Sequence, residues 1–294
     1  MLCQCPKGLP MCQNGRKRCH DTDMYRKYFY ICPMIYRELS EEEYMDAQSR
    51  ILYEDNHLLI INKKAGEIVQ ADMTRDETLS DLYKSFIAMR DGKPGSVFIG
   101  IPHRLDRPVS GIVILSKTSK ALERLNVMFR NGEIHKFYWA LVCEKPLEPE
   151  AELSCYLVRN ERQNKSYVYS GDPSVRKDAK LARLRYRLID STDRYWLLEV
   201  LLLTGRHHQI RCQLADMGCH IKGDLKYGAP RSNPDGGICL HARRVEFVHP
   251  VRKVEMSIEA PVSDSWVGLH RMRDALPGSW APGYGAAAMQ RTYC

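Results

Sequence analysis

A carboxylate, Asp106, stands between two arginines in the run His103-Arg104-Leu105-Asp106-Arg107-Pro108-Val109-Ser110-Gly111. Guanidinium groups close by favour the ionised form of a carboxylate. An ionised aspartate held in place serves as a nucleophile or a base. The same residues also suit a plain loop ion pair. Pro108 fixes a backbone angle and removes an amide donor, and Gly111 permits a turn that a side chain would forbid. The apolar run Ile112-Val113-Ile114-Leu115 follows at once and reads as a buried strand. Asp106 is therefore expected on a shaped loop that leads into a core strand.

Residues 206–218 form a second informative stretch. Read as a helix, it puts His207, Ile210, Arg211 and Leu214 on one side. Arg211 then lies beside an apolar stripe and points inward. A buried arginine is costly unless it meets a carboxylate. Asp106 is a natural candidate, and Asp216 and Asp224 are alternatives. Lys136-Phe137-Tyr138-Trp139-Ala140-Leu141-Val142 reads as a strand with Tyr138, Ala140 and Val142 on one face. A buried tyrosine needs a partner for its hydroxyl, and periodicity alone favours a core aromatic at 138.

These residues must be positioned by the elements around them. Residues 51–53 and 58–61 read as two strands about a turn. A helix is expected from near Thr78, with Asp81 as its capping-box partner and Leu79, Leu82, Phe86 and Ile87 on its buried side. Residues 91–95 are a break. A second helix spans about residues 119–130, striped by Leu122, Leu125 and Phe129 and stopped at Asn131-Gly132. Residues 152–190 alternate strand-like runs with polar turns, and 195–203 is a strong strand. Residues 240–247 and 254–260 read as closing strands. Strands outnumber helices without strict alternation, so the expected class is α+β, a mixed and mainly antiparallel sheet flanked by helices and loops.

The 294 residues are 44% hydrophobic and 27% charged, a globular balance long enough for one large domain or two small ones. A net charge of +8 fits a polyanion partner without requiring one. No apolar run is long enough to span a bilayer, and no signal peptide is visible. Eleven scattered cysteines, an odd number, suit reduced thiols and a cytoplasmic location better than a disulfide framework. Residues 1–48 differ from the rest. They hold Cys3, Cys5, Cys12, Cys19 and Cys32 with His20 nearby, but no Cys-x-x-Cys pair, so a poorly ordered extension is expected rather than a zinc module. Met45 offers an alternative start. Residues 267–294, rich in Gly, Ala and Pro, read as a flexible tail. The chain has no P-loop, no dinucleotide glycine fingerprint and no His-Glu-x-x-His. It also lacks the zinc-deaminase pattern. Its chemistry is expected to need neither a nucleotide cofactor nor a catalytic metal.

Taken in order, several motifs resemble those of the RluA-type RNA pseudouridine synthases. The run at 103–111 resembles that family's signature loop. Gly205-Arg206-His207-His208-Gln209-Ile210-Arg211, with Gly218 and Ile221-Lys222-Gly223-Asp224, is similar to its second signature. Residues 136–142 resemble the strand that supplies the active-site tyrosine. Asn62-Lys63-Lys64-Ala65-Gly66 resembles an early motif, and Leu240-His241-Ala242 with His249-Pro250 the closing ones. The likeness covers residues 51–266, and Val109 and His208 each stand where Thr is frequent. It implies the pseudouridine synthase fold over residues 49–266, and isomerisation of uridine in ribosomal or transfer RNA without a cofactor. A monomer with no membrane association is expected. By the resemblance, Asp106 is the essential carboxylate, Tyr138 lies against the target base and Arg211 pairs with Asp106. Arg104 would enter the RNA and hold open the site of the extruded base. Arg107, Lys136, Arg206 and His207 are the further RNA contacts expected. The rival reading is a non-catalytic RNA-binding or ribosome-assembly factor on the same fold, which would not need Asp106, Tyr138 and Arg211 together.

Overall fold

The computed structural model describes residues 36–71, 76–93, 95–262 and 266. The five cysteines before residue 33 and the tail from 267 lie outside the described residues, as do the expectations placed on them. Among the described residues ten strands form one sheet: β1 (Ile51–Glu54), β2 (Leu58–Lys63), β3 (Ser110–Ser116), β4 (His135–Val142), β5 (Glu150–Asn160), β6 (Lys165–Tyr169), β7 (Lys180–Ser191), β8 (Trp196–Leu202), β9 (Leu240–Val248) and β10 (Glu255–Glu259). Their order is β1-β2-β3-β9-β4-β8-β7-β5-β6, with β10 paired to β9. Only β3 and β9 run parallel, over two residue pairs. Among the described residues four α-helices accompany the sheet: α1 (Glu41–Ser49), α2 (Leu79–Arg90), α3 (Ser119–Asn131) and α4 (Gln209–Asp216). This is the mixed, mainly antiparallel α+β architecture that the sequence pattern implies. None of the helices among the described residues is long and apolar enough to cross a membrane.

Local rules account for the helix ends. The Thr78 hydroxyl accepts from the Asp81 amide and donates to the Asp81 carboxylate, which starts α2. Gly132, at φ +75°, ends α3 in the left-handed conformation that glycine adopts without penalty. The start of the packed unit is a correction to the expected boundary at residue 49. Ser40 and Glu43 form a complete capping box on α1, and Leu39 and Ala47 are buried in the main core. Upstream residues from 39 thus belong to the fold, and Met45 sits inside a helix.

The sheet brings the loop at 103–111 toward Tyr138. All seven residues of β3 are buried, as the continuous apolar run requires. Strand β9 lies between β3 and β4. Its Ala242 is opposite Gly111 on one side and Tyr138 on the other. Two strand spacings, roughly 10 Å, thus separate the loop's exit from the tyrosine. Gly111 is obligatory at this crossing. Its φ is +110°, and a Cβ there would lie 2.4–2.8 Å from the Ala242 backbone.

Candidate active site at the end of the sheet

An open cleft of about 640 Å³ is lined by Asp106, Tyr138 and Arg211, together with Arg104, Lys136 and Arg206. These residues come from the loop before β3, from β4, from α4 and from the turn that precedes α4. Asp106 and Arg211 lie 105 positions apart in the sequence, and the fold joins them.

The loop that carries Asp106 is fastened by a buried ammonium and two neutral histidines. Lys63, only 1% exposed, donates its ammonium to the carbonyls of Lys64, Arg107 and Val109 at 2.6–3.0 Å. Burial lowers its pKa to about 8, so it keeps its charge at neutral pH and all three donors are used. The Ile114 amide donates to His103 Nε2 at 2.8 Å, and the His103 ring packs on Phe129. That acceptor role demands a neutral imidazole. Burial, with the Lys136 charge behind it, pushes His103 down to about 3. Ser110 Oγ meets His241 Nδ1 at 2.8 Å, while His241 Nε2 lies 3.1 Å from the Ala260 carbonyl. The carbonyl only accepts, so Nε2 carries the proton and the serine donates to Nδ1. Burial takes His241 down to about 4.

Of the two sources of charge that the sequence offered to Asp106, the flanking arginines and Arg211, it is Arg211 that reaches the carboxylate. Arg107 is exposed and pairs with Asp76 at 2.8 Å, away from the cleft. Arg104 is exposed at the cleft wall. Arg211 instead reaches Asp106, its Nη1 lying 3.3 Å from Oδ2. Its principal partner is Asp224, bound two-pronged at 2.7 and 2.8 Å. Arg211 and Asp224 side chains are 5% and 1% exposed, against 29% for Asp106. Burial opposes the guanidinium charge, but Asp224 and Asp106 outweigh it and hold the pKa above the usual arginine value. The inward-pointing arginine is as expected. Its main counter-charge is the alternative, Asp224, and Asp106 is the second, more exposed partner. Both acids are satisfied because one guanidinium presents several donors in a fixed plane.

Helix α4 is shorter than the stretch of 206–218 implied. It begins at Gln209 because His208 takes a left-handed backbone, φ +53°. Turning there points His207 out of the cleft. Its Nδ1 lies 2.9 Å from Ser166 Oγ and its Nε2 3.0 Å from Asn164 Oδ1, against the β5–β6 hairpin. His207 is thus not among the cleft residues, and His208 is. His208 Nε2 lies 3.5 Å from Asp106 Oδ2. Gln209 stitches the turn, accepting from the Arg206 amide and the Thr204 hydroxyl and donating to the Arg183 carbonyl. Of the five expected RNA contacts, Arg104, Lys136 and Arg206 line the cleft, and Arg107 and His207 do not.

Tyr138 is 8% exposed at the cleft floor. Burial first, and the Asp106 charge second, raise its pKa well above that of free tyrosine. It is a neutral phenol at physiological pH. His208, Lys63 and Gln209 were not picked out as site residues in the sequence. All three did lie within motifs that could have flagged them. Nothing in their spacing shows which group each would touch.

Residues 57–216 match the model of the RNA pseudouridylate synthase family, more than half of the chain. The chain belongs to that family. It is 32% identical over 219 residues to ribosomal large subunit pseudouridine synthase C of Vibrio cholerae, covering 72% of this chain and 65% of that protein, so about a third of that relative's length lies outside the match. It is 30% identical over 245 residues to ribosomal large subunit pseudouridine synthase D of Zymomonas mobilis, covering 79% and 75% respectively. Among solved structures, human RNA pseudouridylate synthase domain containing 4 superposes with a TM-score of 0.64 at 23% identity, over 80% of this chain and 98% of that one. That likeness speaks to the fold.

Proposed function

We propose that the protein converts uridine to pseudouridine in RNA, with Asp106 acting on the ribose of a nucleotide extruded into the cleft. The carrying observation is that Asp106, Tyr138 and Arg211 line one open cleft although they come from three separate elements. Binding alone needs no carboxylate set against a buried guanidinium at the base of a basic cleft. The reacting atoms of a stacked uridine are inaccessible, so extrusion is required at a cost of a few kcal/mol. Arg104, Lys136 and Arg206 line the cleft and offset that cost through phosphate contacts. Tyr138 enters as a neutral phenol against the base. Arg211 orients the carboxylate through its contact with Oδ2. Ribosomal RNA is the proposed substrate class, since the relatives at 30–32% identity carry that substrate in their names. A monomer acting in the cytoplasm completes the reading.

The test is tritium release from RNA labelled at uridine carbon-5. Asp106→Asn, which removes the charge with little change of shape, is expected to abolish release while RNA still binds. Undiminished release by that variant would overturn the role. Mapping pseudouridine across total RNA of a deletion strain identifies the RNA, and a missing site in transfer RNA instead would overturn the ribosomal assignment.

A further inference from the structure

His208 was not among the groups first expected to act, yet it touches the carboxylate at the centre of the site. Its side chain is 6% exposed, and its two ring nitrogens face different partners. Nδ1 lies 3.0 Å from the Tyr227 hydroxyl, and Nε2 lies 3.5 Å from Asp106 Oδ2. The ring is stacked on His207, centroids 3.8 Å apart, and meets Tyr227 edge-on. Such packing leaves the imidazole little freedom to turn.

The tautomer follows from the partners. The Ser166 amide donates to the Tyr227 hydroxyl oxygen at 2.8 Å. The tyrosine has one proton of its own to place, on His208 Nδ1 at 3.0 Å or on the Ser166 carbonyl at 3.3 Å. An ionised carboxylate only accepts. A bare Nε2 lone pair facing Asp106 would repel it, so Nε2 carries the proton and Nδ1 accepts from Tyr227. Burial, with Arg211 and His207 nearby, pushes the imidazole pKa far down, so the ring stays neutral and carries a single proton.

On the reading that the cleft isomerises uridine, we propose that His208 is a positioning residue for Asp106. Its Nε2–H, set by Tyr227, joins Arg211 in clamping one carboxylate oxygen. Both contacts go to Oδ2, at 3.3 Å from Arg211 and 3.5 Å from His208. Oδ1 is thereby the oxygen offered to the ribose. The two donors differ in kind. Arg211 supplies charge, whereas a neutral imidazole supplies direction without neutralising the carboxylate further. At 3.5 Å the His208 contact is longer than a formed hydrogen bond, and contacts of this sort close when substrate fills a site.

Nitrogen-15 NMR of histidine-labelled protein reads the tautomer directly, and steady-state turnover reads its consequence. His208 is expected as the Nε2–H tautomer, and Tyr227→Phe is expected to erode that preference. His208→Ala is expected to lower kcat on the order of tenfold with KM for RNA within about twofold. His208→Gln, whose amide N–H takes the place of Nε2–H, is expected to recover most of that loss. An Nδ1–H tautomer in the wild-type protein overturns the inference. So does a wild-type kcat in His208→Ala, a loss confined to KM, or a glutamine variant no better than alanine. Should His208→Ala fail to fold, the glutamine variant and the tautomer decide. Wild-type protein with no turnover on any RNA would overturn the enzymatic reading itself, and the tautomer of the resting protein would still uphold or overturn the contact.

Discussion

The two sides of the cleft hold their residues by different physics. On the β3 side, the loop bearing Asp106 is fixed by neutral imidazoles at 103 and 241, by an ammonium spent on three carbonyls, and by a glycine that lets β9 approach. On the α4 side, Arg211 is fixed by charge, through a two-pronged pair with Asp224. The first side decides where the loop that carries Asp106 stands. The second decides how its carboxylate is turned and what electrostatic field it meets. Position and charge are therefore separable, and substitutions can disturb either one.

The largest effect is expected on the charged side. Arg211→Met leaves Asp224 buried without its partner, and is expected to cost about 3–5 kcal/mol of stability and to abolish turnover. The double variant Arg211→Met with Asp224→Leu is expected to regain most of that stability, since an apolar pair can replace a buried ion pair. Its turnover should stay lost. Urea unfolding and tritium release measured on the same samples show whether the two properties part. Recovery of both would mean that charge beside Asp106 is dispensable.

Gly111→Ala attacks the other side. The added methyl meets the Ala242 backbone at a backbone angle that alanine resists, with an expected loss of about 3 kcal/mol or more. Thermal unfolding checks it. A near-neutral result would show that β9 can move away and that the crossing is not tight.

The neutral histidines make the β3 side sensitive to acid. In the unfolded chain a histidine takes up a proton near pH 6.5, whereas His241 in the fold does so only near pH 4. The stability it contributes is thus complete above pH 6.5 and is lost as pH falls toward 4. Between pH 6.5 and 5 the expected loss is about 2 kcal/mol. His241→Gln should flatten that part of the curve of urea midpoint against pH, and an unchanged slope would contradict the assignment. The smallest effect is expected for Arg107→Ala. Its exposed pair with Asp76 should be worth about 0.5 kcal/mol or less, and turnover should change little because the side chain points away from the cleft. A large fall in kcat would return Arg107 to the site.

Much of this was legible before any fold was known. The apolar run after Gly111, the alternation of 136–142, and the Thr78 and Gly132 helix ends are local signals, governed by neighbours a few residues away. Tyr138, Ala140 and Val142 do share a face in the main core, while Trp139 and Leu141 join a separate cluster on the other. The environment of Arg211 was legible in part, because an arginine on an apolar stripe must find an acid. Which acid was not. Asp224 and Asp106 were both available, and only the path of the chain after α4 ranks them.

Sequence by itself determined the inventory of reactive groups, the class of fold and the family. It also marked Asp106 as the carboxylate to watch, through the motif around it. The tertiary structure decided which charges face that carboxylate. The adjacent arginines, Arg104 and Arg107, are exposed, and Arg107 turns to Asp76, while a guanidinium 105 positions away and an imidazole at the left-handed turn of 208 take their place. The physical reason is that side chains adjacent along a turning loop diverge, whereas packing of strands and helices brings distant ones within hydrogen-bond range.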